Sequence, residues 1–149
     1  MILKNLVPSK VPVVPDELKD KFEIFTAYAL NENEAKYFSL ALQAIVKQLN
    51  CEHKKYSDLM GITAVITEEG SLLLQMEDES IGNQFCLAVY AVKRWRNLKF
   101  EESQIITIIL EELCHQYWNI EDETEVQYKV YDVLKWIFPN TKIEQFYNM

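Results

Sequence analysis

Ile62-Thr63-Ala64-Val65-Ile66-Thr67, then Glu68-Glu69-Gly70, then Ser71-Leu72-Leu73-Leu74-Gln75-Met76: here the chain changes its hydrophobic period. Two short β-prone runs flank a glycine-ended turn, the pattern of a hairpin and so of a small antiparallel sheet. Working toward the N-terminus, Asn33 to Asn50 carries Phe38, Leu42, Ile45 and Leu49 at helical spacing and predicts a helix. Asp16 and Glu17 open an earlier one, running to about Leu30 with Leu18, Phe22, Phe25 and Ala29 along one side. Before it, Pro8, Pro12 and Pro15 lack the amide proton and restrict their predecessors, so residues 1–15 read as an extended arm.

Working toward the C-terminus, Ser80-Ile81-Gly82-Asn83 reads as a turn. From Phe85 to Trp95, alternation of Phe85, Leu87, Val89, Ala91 and Trp95 favours a strand, although Phe85, Ala88, Val89, Val92 and Trp95 also fit a helix. Gln104 to Trp118 is the most apolar helix, and Ile105, Ile106, Ile108, Ile109 and Leu110 point in almost every direction. Its first part should therefore be buried all round. Asn119-Ile120 interrupts it, and a last helix runs from about Asp122 to Ile137, with Val126, Val130, Val133, Leu134 and Ile137 inward and Pro139 as its stop. The expected fold is α+β: two N-terminal helices, a small antiparallel sheet, two C-terminal helices. At 149 residues the chain fits a single domain, 1–149.

The net charge of −8 repels phosphate backbones and anionic lipid, which disfavours nucleic acid and membrane surfaces as main partners. One local exception is Lys93-Arg94-Trp95-Arg96 with Lys99. An exposed tryptophan flanked by cations can stack on bases, but so few basic residues fit better a charged strand end whose tryptophan packs on the core. Cys51, Cys86 and Cys114 are odd in number and lack framework spacing, and the apolar run at Met1–Pro8 is too short for an export signal. Reduced thiols and a cytoplasmic location are expected.

Glu111-Glu112-Leu113-Cys114-His115 lies on the apolar helix. Residues four apart share a helix face, so Glu111 and His115 can converge on one point with Glu112 beside it. Acids follow at once: Glu121, Asp122, Glu123 and Glu125. This stretch resembles the core of zincin metallopeptidases, whose helix reads His-Glu-x-x-His. The resemblance implies a metal (zinc, manganese or iron) held by Glu111 in place of the first histidine, by His115, and by Glu121 or Glu125. It implies Glu112 as the catalytic base that activates metal-bound water. A carboxylate in place of a nitrogen ligand favours harder metals, and Trp118 stands where the longer zincin motif has a turn glycine.

Other constellations are poorer. Glu112-Leu113-Cys114-His115 contains the Glu-x-x-His element of di-iron bundles, but the fold needs it twice and no glutamate stands three residues before His53. Cys51, His53, Cys114 and His115 fail as a zinc set because adjacent Cys114 and His115 point about 100° apart on a helix. Cys114 is expected in the core and His53 in a solvated loop. Tyr117, Trp118, Tyr128, Tyr131 and Trp136 read as a packed seam between the last two helices. Two functions follow as expectations: a metal-binding zincin-like hydrolase, active or degenerate, or a non-catalytic interaction or regulatory domain that meets a protein or peptide through Lys93–Arg96 or the acidic turn after Trp118.

Overall fold

The computed structural model describes residues 2–3, 5–72, 74–75 and 86–148. In chain order the elements are β1 (Ile2–Leu3), β2 (Phe22–Thr26), α1 (Glu32–Cys51), β3 (Ile62–Thr67), β4 (Leu74–Gln75), β5 (Leu87–Ala91), α2 (Val92–Asn97), α3 (Glu102–Tyr117) and α4 (Glu123–Leu134). β2, β3 and β5 form a parallel sheet in that order, with Phe22 beside Ile62 and Thr63 beside Leu87. β1 pairs antiparallel with β4.

Parallel neighbours need a long crossover, and α1 provides it between β2 and β3. Phe22, Ile62, Ala64, Ile66, Ala88 and Tyr90 share one face of the sheet, and all are buried in the core. α1, α3 and α4 pack against one another over that face. At its centre the Tyr90 ring meets Phe38 edge-on at 5.1 Å and Trp95 at 6.0 Å, and its hydroxyl donates to the Ile109 carbonyl at 2.9 Å. A buried tyrosine hydroxyl needs such a partner, so this bond fixes the height of α3 over β5.

The helices over 33–50, 104–118 and 122–137 form as expected, as Glu32–Cys51, Glu102–Tyr117 and Glu123–Leu134. Phe38, Leu42, Ile45 and Leu49 are all buried, and so are Ile105, Ile106, Ile109 and Leu110. Three expectations are corrected. Residues 16–30 hold only a short 3-10 turn at Asp16–Leu18 and then β2. Phe22 and Ile24 alternate with Glu23, and pairing with β3 overrides the weak helical period.

The hairpin does not form either. Both sides of β3 are taken by β2 and β5, and Leu74–Gln75 pairs with β1 instead, so the sheet is parallel and not antiparallel. Residues 85–95 divide between the two readings, as strand Leu87–Ala91 and then helix Val92–Asn97. Phe85 and the turn at Ser80–Asn83 lie outside the described residues. Within the N-terminal arm, Val7 N–H donates to the Thr26 carbonyl at 2.8 Å. Among the described residues, no helix is long and apolar enough to cross a membrane.

Helix ends are made without glycine in a chain that has only three. His53, Lys99 and Asn119 take left-handed φ values of 56°, 54° and 52° just after α1, α2 and α3. Each is followed by the paired backbone bonds of a Schellman motif, for example Ile120 N–H to His115 O and Asn119 N–H to Gln116 O. At the other end of α1, Asn31 and Glu34 close a capping box. Glu34 is buried, and the Arg96 guanidinium meets it with Nε to Oε2 at 2.9 Å and Nη2 to Oε1 at 2.6 Å. Arg96 also donates to the Ala29 carbonyl and lies over the Tyr28 ring.

Removing one partner of such a pair leaves the other buried and uncompensated. Because the Arg96 side chain is 38% exposed, Arg96→Ala should cost about 2–3 kcal/mol rather than the full buried-pair penalty. Arg96→Lys should restore only part of it, since an ammonium cannot reproduce the two-pronged contact. Urea denaturation of the three proteins checks both expectations.

Candidate functional site: a cleft between β5 and α3

α3 is fixed from below by its isoleucines and Leu113, which leaves Glu111, Glu112 and His115 half-buried along its upper turns. They do not meet at one point. Glu111 Oε1 accepts a hydrogen bond from the Tyr147 hydroxyl at 2.8 Å, in a cleft of about 290 Å³ shared with Thr107, Ile108 and Phe146. His115 Nδ1 lies 2.5 Å from the Ile120 carbonyl, and its Nε2 lies 3.4 Å from Glu123 Oε2.

The turn that arranges this is made by Asn119, one residue beyond Trp118. Its left-handed backbone folds Ile120 back over His115. Burial alone would lower the His115 pKa, but the Ile120 bond and the Glu123 carboxylate raise it above the usual histidine value. Glu121 and Glu125 are exposed, and the Glu125 amide donates to the Asp122 cap at 2.7 Å. As arranged, Glu111, His115 and Glu121 or Glu125 do not form the three-donor set that the zincin resemblance implies. Among the described residues, no group of three or more His, Cys, Asp or Glu side chains gathers in a metal-holding arrangement.

Glu112 faces a different cleft, of about 250 Å³, with Val89, Tyr90, Ala91, Trp95, Phe100 and Ile108 among its walls. Successive strand residues point to opposite faces, so three consecutive residues border one cleft at the strand's edge or, as β5 ends at Ala91, at its carboxyl end. The register shows which backbone groups face that edge. Thr63 N–H donates to the Cys86 carbonyl, and with Thr63 beside Leu87 the β3 ladder uses the backbone of residues 86, 88, 90 and 92. The amides and carbonyls of Leu87, Val89 and Ala91 therefore point away from β3. Among the described residues no strand pairs with β5 on that side.

The Glu112 carboxyl has no hydrogen-bond donor among the described residues, and its pKa is raised. Burial is the main cause. His115 opposes it, while Glu111 and Glu123 add to the rise. Glu112 is thus an acid in a mostly apolar cleft beside a backbone edge that no described strand pairs. The motif had singled it out, but Val89, Leu98 and Phe100 reach it only through tertiary packing. Tyr147 and Glu123 were missed as partners: Tyr147 lies far along the chain, and only the Asn119 turn selects Glu123 over its neighbours.

The remaining candidates are structural. Trp95 is 4% exposed, so it packs on the core, while Lys93 pairs with Glu68 at 2.6 Å and Arg96 with Glu34. Cys114 is fully buried and burial pushes its thiol pKa up, whereas Cys51 and His53 are exposed. The aromatic seam is divided. Trp118 Nε1 donates to Glu52 and Trp136 Nε1 to Gln48, both on or next to α1, and Tyr117 donates to the Lys21 carbonyl.

Folded Glu112 keeps its proton to higher pH than the unfolded chain does. The wild type therefore loses stability as pH rises past the ordinary glutamate value of 4.5 and up through the raised one. Glu112→Gln has no proton to lose. Its melting temperature should exceed that of the wild type at neutral pH, and the gap should close below about pH 4. Equal melting temperatures at neutral pH would mean that the carboxylate is compensated. No family model, no curated protein and no solved structure matches this chain.

Proposed function

We propose that this protein is a non-catalytic recognition domain that binds an extended segment of a partner protein along β5. The observation that carries this reading is the outward backbone of Leu87 and Val89 and the outward Ala91 amide, which no described strand pairs, beside an apolar cleft. An extended peptide can add to such an edge as another strand, with main-chain hydrogen bonds for affinity and a neighbouring pocket for alternate side chains. Leu98, 59% exposed at the rim, and Phe100 and Ile108 in the wall supply apolar contact.

Val89→Pro isolates the backbone contribution. Its amide points away from β3, so proline there leaves the β3 ladder whole and removes one outward donor. Linear peptides selected from a random displayed library on the full chain should bind the wild type and lose about tenfold or more in affinity on Val89→Pro. Its melting temperature should change little. Peptides that bind Val89→Pro equally well, or a library that yields no binder, would end this reading.

A second reading keeps the metal. His115 Nδ1 on the Ile120 carbonyl fixes the ring and aims Nε2 at Glu123, as an outer partner does for a ligating histidine. That reading requires Glu111 to leave Tyr147 for a third donor. It expects stoichiometric zinc, manganese or iron in the purified protein by mass spectrometry, lost in His115→Ala. Metal-free protein with no thermal shift on adding these ions would remove it.

A further inference from the structure

Resting on the peptide-binding reading, we infer that the segment taken by the β5–α3 cleft is basic, with a lysine or arginine side chain reaching Glu112. Three features of the site support this occupant. The first is the position of Glu112. It lines the same cleft as the backbone edge of Val89–Ala91, so a strand laid on that edge passes its side chains over the carboxyl.

The second is the want of a partner. Every other half-buried or buried acid along this side is engaged: Glu34 by Arg96 and Asn31, Glu111 by Tyr147. Glu112 has no such donor among the described residues, and the charged groups around it are His115, Glu111 and Glu123. With Arg94 on the cleft's border these make two carboxylates and two basic groups, so the pull on an incoming cation comes from Glu112 itself. Arg94 is exposed to water, which screens it more than the half-buried Glu112.

The third is the shape of the chemistry. The cleft that holds Glu112 also has Trp95, Leu98, Phe100 and Ile108 in its lining. A lysine or arginine can lay its methylene stem along such walls and place its charged head on an acid beyond them. A bare metal ion or a short polar side chain gains nothing from the apolar walls. The net charge of −8 adds long-range attraction for the same class of partner.

The test uses three short acetylated fluorescent peptides that alternate threonine with lysine, glutamine or glutamate. Fluorescence anisotropy measures them against the full-length wild type, Glu112→Gln, Val89→Pro and, as a control for net charge, Glu17→Gln. The wild type should bind the lysine peptide at least about tenfold more tightly than the glutamine one, and the glutamate one least. Glu112→Gln should abolish the preference for lysine over glutamine while Glu17→Gln keeps it. If lysine and glutamine peptides bind equally and both lose affinity on Val89→Pro, the basic occupant is wrong and the edge reading stands. A preference for lysine that survives Glu112→Gln also overturns the inference, as general attraction to an acidic protein. Binding that ignores Val89→Pro, or no binding by any peptide, overturns the edge reading as well. Melting curves of each variant separate these outcomes from misfolding.

Discussion

Three strands that run the same way cannot be joined by tight turns, and the whole molecule is organised around that constraint. The chain must travel back from the end of β2 to the start of β3, and α1 makes the journey over one face of the sheet. Its first turn therefore stands at the carboxyl end of the sheet, where β5 also ends and α2 begins. Glu34 and Arg96, far apart in sequence, meet there and lock the two helices to the same rim. With α1 held, α3 and α4 have one apolar surface left to cover, and Tyr90 sets their height through the Ile109 carbonyl.

The same residue type takes four different roles around that frame. Glu34 is buried and matched in both charge and hydrogen bonding. Glu111 is engaged by a neutral hydroxyl. Glu123, largely exposed, steadies His115 against the Asn119 turn. Glu112 is half-buried without a donor among the described residues, so its environment favours the protonated form. Composition reports only an acidic protein. Which acid is chemically distinct depends on what the fold places beside each one.

The long helices were legible because their apolar stripes are the faces they bury: Phe38, Leu42, Ile45 and Leu49 on α1, Val126, Val130 and Val133 on α4. β2 was not, because Leu18, Phe22 and Phe25 suit a helical period almost as well as an alternating one. The hairpin failed for a related reason. Glu68-Glu69-Gly70 is a sound local turn signal, but pairing in a parallel sheet is decided by residues far away, here Phe22–Thr26 and Leu87–Ala91. For the site, the pentapeptide drew attention to Glu112 and His115, yet the direction in which each side chain faces came from Asn119, Tyr147 and the position of β5. None of these leaves a periodic trace in the sequence.

The two margins of the sheet are treated unequally. At β2 the N-terminal arm lies against the strand's carboxyl end, and the outward Thr26 carbonyl is already bonded to Val7. At β5 no described strand follows. Joining two copies through β5 would turn each β2 margin outward, where the arm interrupts regular addition of a further strand. A strand added there would meet Val7 already bonded to the Thr26 carbonyl at the carboxyl end of β2.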